Sequence, residues 1–189
     1  GILLAVSGGA ANGNPSEITN NVFSIAGRTP SPVSNPPVLG APVGIYARPS
    51  STIMEGIFSG VKVDYWNMTG NTFKTDGTRN WYSMMEFGSD VGVDSDTQSQ
   101  DQTGIFLVQN VFGGNADKAI RFYFDQKSIT VGPRSIGNVF NGKYEYPTTK
   151  VLGVKLYGSG SLTPKLTVNN EEFTESTDSK ATEVQNLLK

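Results

Sequence analysis

Short runs of alternating apolar and polar residues fill most of the chain after residue 53. In residues 120–125, Ile, Phe and Phe alternate with Arg, Tyr and Asp, which is the period-two pattern of a half-buried strand. Gly and Asn clusters separate the runs at intervals typical of sandwiches and barrels. The pattern predicts strands at residues 61–66, 81–87, 105–108, 120–124, 151–157 and 165–168.

The arrangement of these runs predicts an all-β fold. Asn169 and Asn170 follow the last run and are typical of a hairpin turn. We expect at least seven strands between residues 53 and 175, in an antiparallel β-sandwich or a jelly-roll-like fold. No internal repeat of fixed period is visible.

The two ends of the chain have different patterns. Six of the ten prolines fall in residues 28–50, so this stretch is expected to be an extended connector rather than helix or central strand. At the other end, apolar residues at helical spacing follow Asp178 and Ser179, either of which could cap a short helix. The expected organisation is an N-terminal arm and Pro-rich connector (1–50), a β-sandwich body (51–175) and a helical tail (176–189).

Charge and composition exclude some partners. Of the 189 residues, 17% are charged and the net charge is -2, whereas nucleic acid and anionic membranes require a basic surface. No stretch reaches the roughly 18 apolar residues of a membrane-spanning helix. The chain starts without Met and is expected to be processed, excised or renumbered. We expect neither nucleic acid as a partner nor membrane insertion.

The absence of His and Cys removes the side chains on which many catalytic sites depend. No Ser-His-Asp or Cys-His site can be built within the chain. A pair of carboxylates remains, as in glycoside hydrolysis, and Glu86 with Glu55 or Asp64 is the best candidate. No spacing selects such a pair, so the chain is expected not to be an enzyme.

An acidic loop at residues 90–103 is the one candidate metal site. Asp94, Asp96 and Asp101 could supply oxygen ligands to Ca²⁺. The segment begins like a calcium-binding loop at Asp94, but Gln98 and Ser99 stand where that motif needs an acid and a glycine. A solvated loop is the preferred interpretation, and no cofactor is expected.

Three aromatic residues are the other candidate ligand contacts. Trp66 follows a run whose apolar residues define the opposite face, so it is expected to be exposed. Tyr144 and Tyr146 flank Glu145 just before Pro147, in an expected loop. Aromatic rings bring an apolar face and a polar edge to a binding surface. Together with Asp94, Asp96 and Asp101, these residues form the predicted ligand-binding site, on loops rather than strand faces.

Two resemblances bear on the fold and function. The segments at residues 78–88, 104–109 and 120–124 resemble the adjacent strands of concanavalin- and laminin-G-type sandwiches, without their metal or sugar motifs. The Pro-rich stretch, the absence of Cys and the Gly, Ser, Thr and Asn content are similar to the protruding, receptor-binding domain of a non-enveloped virus capsid, or its phage tail equivalent. This resemblance implies self-association and attachment through loops.

The expected function is therefore that of a non-catalytic viral surface domain. It would assemble with copies of itself and attach to a host receptor or glycan, on the virion surface or in the extracellular space. One alternative is a lectin-like, carbohydrate-binding module of a secreted or surface protein. The other is a carboxylate-based enzyme acting on polysaccharides.

Overall fold

The computed structural model describes ten segments of the chain. They are residues 2–4, 14–26, 43–47, 64–76, 80–88, 101–125, 128–144, 149–157, 163–174 and 178–189.

The chain winds through successive coils, each built from short strands. Coil 1 contains β1 (Ile2–Leu4), β2 (Ser16–Thr19) and β3 (Val22–Ala26), and coil 2 contains β4 (Val43–Ala47), β5 (Trp66–Thr69) and β6 (Thr72–Asp76). Coil 3 contains β7 (Trp81–Gly88), β8 (Gln102–Val108) and β9 (Val111–Phe112), and coil 4 contains β10 (Asn115–Asp125), β11 (Ile129–Val131) and β12 (Val139–Phe140). Coil 5 contains β13 (Lys143–Tyr144), β14 (Leu152–Tyr157) and β15 (Leu166–Val168), and is followed by β16 (Glu171–Phe173) and α1 (Asp178–Leu188).

Equivalent strands of successive coils stack into three sheets. Sheet A has the order β1-β4-β7-β10, and β10 then pairs with both β13 and β14. Sheet B has the order β2-β5-β8-β11-β15-β16, and sheet C the order β3-β6-β9-β12. All described pairings are parallel except that of β15 with β16. This is a parallel β-helix, a solenoid in which each coil packs on its neighbours.

A ladder of asparagines runs through the turn between sheets B and C. Its members, which we call the Asn ladder, are Asn21, Asn71, Asn110 and Asn138. The backbone N–H and the Nδ2 of each asparagine donate to Oδ1 of the next one, at 3.0–3.2 Å. Nδ2 of Asn71, Asn110 and Asn138 also donates to a carbonyl of the preceding coil, at 2.7–2.8 Å. Buried amides are thus satisfied from coil to coil.

The residue before each ladder asparagine takes a left-handed backbone conformation. These residues are Asn20, Gly70, Gln109 and Gly137, with φ between 52° and 76°. Glycine and asparagine adopt this conformation most readily, and Gln109 is the exception. This sharp turn changes the direction of the chain between the strand of sheet B and the strand of sheet C.

Two residues after each ladder asparagine, a phenylalanine points into the core. Phe23, Phe73, Phe112 and Phe140 form a stack, which we call the Phe stack, with ring centroids 4.8, 5.3 and 5.0 Å apart along the chain. The spacing follows that of hydrogen-bonded strands. Phe73 and Phe112 are completely buried, whereas the two end rings are half-buried.

The C-terminal helix covers the last coil. It packs against β14 and β15, and Ala181, Val184 and Leu188 are buried in the core. The carbonyls at its C-terminus accept hydrogen bonds from Gly137 N, from Asn138 and from Asn169 Nδ2. Unpaired carbonyls of a helix end normally need such donors. The prediction of a short C-terminal helix is confirmed.

The predominance of strands is confirmed, but their arrangement differs from the expected one. The described residues between Trp66 and Phe173 form twelve strands, and Asn169 and Asn170 form the turn of the only hairpin among them. The strands do not form the expected antiparallel sandwich or jelly roll, since nearly every described pair of strands is parallel. Alternation within a strand reports one buried face, and it does not report the direction of the neighbouring strand.

The Pro-rich stretch also departs from the prediction in part. β4 lies between β1 and β7 in sheet A, although residues 28–50 were expected to exclude a central strand. A central strand is possible here because its five residues contain no proline: Pro42 and Pro49 flank the strand and do not interrupt it. Residues 27–42 and 48–63 lie outside the described part, so the remaining connector and the domain division stay predictions. Among the described residues, no helix has the length and hydropathy needed to cross a membrane.

Candidate functional site

Aromatic rings and cations alternate across three neighbouring strands of sheet A. Arg121 Cζ lies 3.4 Å from the ring centroid of Tyr82 and 5.5 Å from that of Tyr123. Lys155 Nζ lies 4.6 Å from the Tyr123 centroid. Such contacts are cation–π interactions, which strengthen when the cation is desolvated. We call these four residues, together with Asp117, the sheet A column.

Strand alternation places this column on the outer face of sheet A. Ile120 and Phe122 point into the core, where the Phe122 ring stacks on Phe87 at 5.5 Å. Arg121 and Tyr123 alternate with them and therefore point the other way. The register places Tyr123 opposite Lys155 of β14.

A glycine leaves room for the column. Gly153 pairs with Arg121, and a Cβ atom at Gly153 would lie 2.9 Å from the Tyr123 hydroxyl oxygen. That distance is shorter than side chains tolerate. The absence of a side chain therefore allows the tyrosine to lie over β14.

The centre of the column is buried although it faces outward. Tyr82, Arg121 and Tyr123 are 7%, 3% and 4% exposed. Arg121 Nε is a buried donor with no hydrogen-bond acceptor among the described residues. A buried, unpaired donor is costly, so the guanidinium is held by its stacking and by charge rather than by a full set of hydrogen bonds.

Asp117 is the acidic member of the column. Its Oδ2 lies 3.8 Å from Arg121 Nη2. Burial raises the pKa of Asp117 above its ordinary value, while the charges of Arg121 and Lys118 oppose that rise. Asp117 and Lys155 are only partly buried, so their charged groups are the parts of the column that solvent reaches. Charged groups held in place by buried neighbours can form hydrogen bonds with a polar ligand.

Trp66, the first of the predicted contacts, is directed inward. In β5 it shares a face with Met68 and is the register partner of Ile105, and both of these are completely buried. Its half-buried ring packs against the core. Trp66 is therefore half-buried rather than exposed as expected, because the opposite face of β5 carries Asn67 and Thr69. Its role as a ligand contact stays a prediction.

Tyr144 lies in a strand and not in an exposed loop. It is buried, and its hydroxyl donates to the Phe112 carbonyl at 2.6 Å. Burial raises the pKa of Tyr144 far above its ordinary value. This position corrects the expected loop location and argues against a direct ligand contact. Tyr146 lies outside the described residues.

Asp101 connects two coils. Its Oδ1 accepts a hydrogen bond from Ser128 N at 2.8 Å, just as Asp64 Oδ1 accepts one from Thr103 N at 2.8 Å. Ser128 Oγ continues the row by accepting from Lys165 N at 3.0 Å. Asp101 thus has a structural role at the start of sheet B. Asp94 and Asp96 lie outside the described residues. Among the residues that the structure describes, no group of three acidic side chains could hold a metal ion.

The carboxylates proposed for catalysis are not brought together by any described contact. Glu86 is buried in sheet A and accepts a hydrogen bond from Ser83 Oγ at 2.9 Å. Asp64 precedes a strand of sheet B and is buried there. Glu55 lies outside the described residues.

Sequence reasoning missed the sheet A column. The signal was present in the alternation of Arg121 and Tyr123 with core residues, which marked them as neighbours on one face. Their partners come from β7 and β14, and only the parallel register brings Tyr82 and Lys155 beside them.

Comparison of the chain with protein-family models, curated proteins and solved structures finds no match.

Proposed function

We propose that this chain is a non-catalytic binding module of a surface assembly, and that it attaches to glycans through the sheet A column. The observation that carries this proposal is the alternation of Tyr82, Arg121, Tyr123 and Lys155. Lys155 contacts the buried Tyr123 ring and Asp117 contacts the buried guanidinium of Arg121, so both charged groups are held in place. A ligand would contact these two groups, which need no reordering when it binds.

A non-catalytic role is supported by the use of the carboxylates. Asp64 and Asp101 accept hydrogen bonds from backbone N–H groups of the next coil, and Glu86 accepts one from the side-chain hydroxyl of Ser83 in its own strand. The whole chain lacks His and Cys. A lectin-like module remains the alternative from the same class, and a polysaccharide-cleaving enzyme the alternative from another.

A place in a viral or phage attachment protein fits the repetitive architecture. The Asn ladder and the Phe stack join four coils by direct contacts, and such a solenoid is stiff along its axis. Stiffness suits a part that projects from a surface. The proposal includes copies of the chain and a host receptor or glycan as partners, and a location on the virion surface or outside the cell.

The glycan-binding proposal is tested with immobilised glycans and single substitutions. Lys155→Met removes the charge at the edge of the column and keeps an unbranched side chain. Lys165→Met is the matched control, because Lys165 is an exposed lysine paired with Glu172 on sheet B. We expect wild type and Lys165→Met to retain the same glycans and Lys155→Met to lose them. Equal binding by all three proteins would contradict the proposed site.

Two further readouts separate the alternatives. Incubation with each bound polysaccharide, followed by mass analysis, is expected to give no new fragments; fragments would favour the enzyme. Sedimentation at several concentrations is expected to give more than one copy per particle, and a monomer throughout would remove self-association from the proposal.

A further inference from the structure

The hydrogen bonds of the Asn ladder all run in one direction, and Asn21 lies at the end where the side-chain acceptor Oδ1 has no asparagine before it. At every described step the earlier asparagine donates and the later one accepts through Oδ1. Asn21 is the first member, so the ladder places no donor on its Oδ1 among the described residues. Its Nδ2 also differs from that of the other three, because it donates to Thr19 O of its own coil at 3.0 Å instead of to a preceding coil.

The surface around Asn21 is open and partly apolar. β3 ends sheet C among the described strands. Val22 is 65% exposed, more than any other large hydrophobic residue that the structure describes. Ser24 is exposed as well. Phe23 is stacked on Phe73 and is half-buried. An exposed edge of this kind is a template for another strand.

The internal steps specify which strand would fit. After each ladder asparagine, the N–H of the next residue donates to the asparagine carbonyl of the preceding coil at 2.8 Å, as Thr72 N does to Asn21 O. The N–H before the asparagine donates to the last strand residue of the following coil, as Asn20 N does to Thr69 O at 2.9 Å. A phenylalanine two residues later joins the Phe stack.

We infer that the outer edge of β3 is a docking site for a parallel strand of a partner protein that carries asparagine, a β-branched residue and phenylalanine in succession. The backbone N–H and Nδ2 of the incoming asparagine donate to Asn21 Oδ1, and Val22 N–H donates to its carbonyl. The incoming phenylalanine stacks on Phe23, and Asn21 Nδ2 turns from Thr19 to the new strand. This is strand addition, with the side-chain ladder giving the register.

The probe is a fluorescent peptide of residues 68–76, Met-Thr-Gly-Asn-Thr-Phe-Lys-Thr-Asp, which repeats one internal step of the ladder. Saturable binding to the full chain is expected, measured by anisotropy. The same peptide with Asn71→Ala is expected to bind roughly fivefold more weakly, since the hydrogen bond from Nδ2 is lost while that from the backbone N–H remains. No saturable binding, or equal binding by both peptides, would overturn the inference.

A charge exchange tests the register. In the docked strand, peptide Lys74 would lie beside Ser24, as Lys74 does in the intact chain. The protein variant Ser24→Lys is expected to weaken binding of the unmodified peptide, and a Lys74→Glu peptide is expected to restore it. Failure of the exchange would overturn the register. A concentration-dependent dimer that Ser24→Lys abolishes would show that a second copy occupies the edge, which would overturn the proposed partner.

Discussion

The Leu188 carbonyl oxygen accepts both the backbone N–H and the Nδ2 of Asn138, at 3.1 and 2.8 Å. The earlier ladder asparagines give the same two donors to Oδ1 of the next asparagine. The last turn of α1 therefore supplies the acceptor that a fifth asparagine would have supplied. The helix ends the ladder without leaving its donors unpaired.

Removal of α1 is expected to expose the end of the solenoid. Truncation before Asp178 removes the acceptors at Leu187, Leu188 and Lys189 and the buried contacts of Val184. Open parallel edges and apolar surface favour aggregation. We expect loss of monodispersity and binding of a hydrophobic dye, measured by light scattering and fluorescence. Glu183→Ala, an exposed change in the same helix, is the control, and a truncated chain that behaves like it would contradict the capping role.

The central ladder asparagine is expected to be indispensable for stability. Asn110→Ala removes the acceptor of two donors of Asn71 and the donor to Met68 O, all of which are buried. Each orphaned buried group costs roughly 1–3 kcal/mol, so we expect a loss of about 3 kcal/mol or more in the free energy of unfolding. Urea denaturation measures it. Asn141→Ala, at an exposed site, is the control and should change stability by less than about 0.5 kcal/mol.

The contribution of each phenylalanine of the Phe stack to stability is expected to decrease from the middle of the stack to its ends. Phe112 contacts a ring on each side and is completely buried, whereas Phe23 is half-buried and contacts only Phe73 among the described rings. Phe112→Ala should cost about 3–5 kcal/mol. Phe23→Ala should cost less, roughly 1–2 kcal/mol. Equal losses in chemical denaturation would show that the stack does not act as a continuous core element.

Asp117 is expected to give a characteristic pH dependence. Its pKa is raised in the folded state, mainly by burial, so its contribution to stability is fully present below its unfolded pKa and is lost as pH rises through the folded one. Asp117→Asn avoids that loss. The melting temperature of the variant relative to wild type should therefore rise from acid to neutral pH and then level off. A difference that is constant with pH, or that falls, would contradict the burial of this carboxyl.

Individual strands could be predicted from sequence because alternation within a strand is a local property. The predicted strands around Phe87, Leu107, Phe122, Val154 and Leu166 all exist, and so does the helix around Val184. The sheet order and the direction of pairing depend on contacts between coils. Those contacts are not encoded in the period of any one strand.

The repeat that organises the coils is present in the sequence but has no fixed period. Asn-Val-Phe, Asn-Thr-Phe, Asn-Val-Phe and Asn-Val-Phe begin at Asn21, Asn71, Asn110 and Asn138. Consecutive asparagines are 50, 39 and 28 residues apart. Loops of different length separate the turns, so a search for a constant spacing finds nothing although the motif recurs four times.

The candidate site was less predictable than the strands. Trp66 and Tyr144 have residue types common at binding surfaces, yet the fold directs both inward. Asp101 has a carboxylate suited to Ca²⁺, yet it serves a neighbouring coil. Residue type alone does not give the direction of a side chain, which follows from the register of the whole stack.

The most direct test of the stacked, parallel coils uses a pair of engineered cysteines in a chain that has none. Thr72 and Val111 are register partners on β6 and β9, and neighbouring strands place Cα atoms about 5 Å apart, within disulfide range. Thr72→Cys with Val111→Cys should form an intramolecular disulfide under mild oxidation. The control pair, Thr72→Cys with Thr167→Cys, spans two sheets and should keep free thiols. Free thiols in a folded Thr72→Cys, Val111→Cys protein would contradict the stacked architecture.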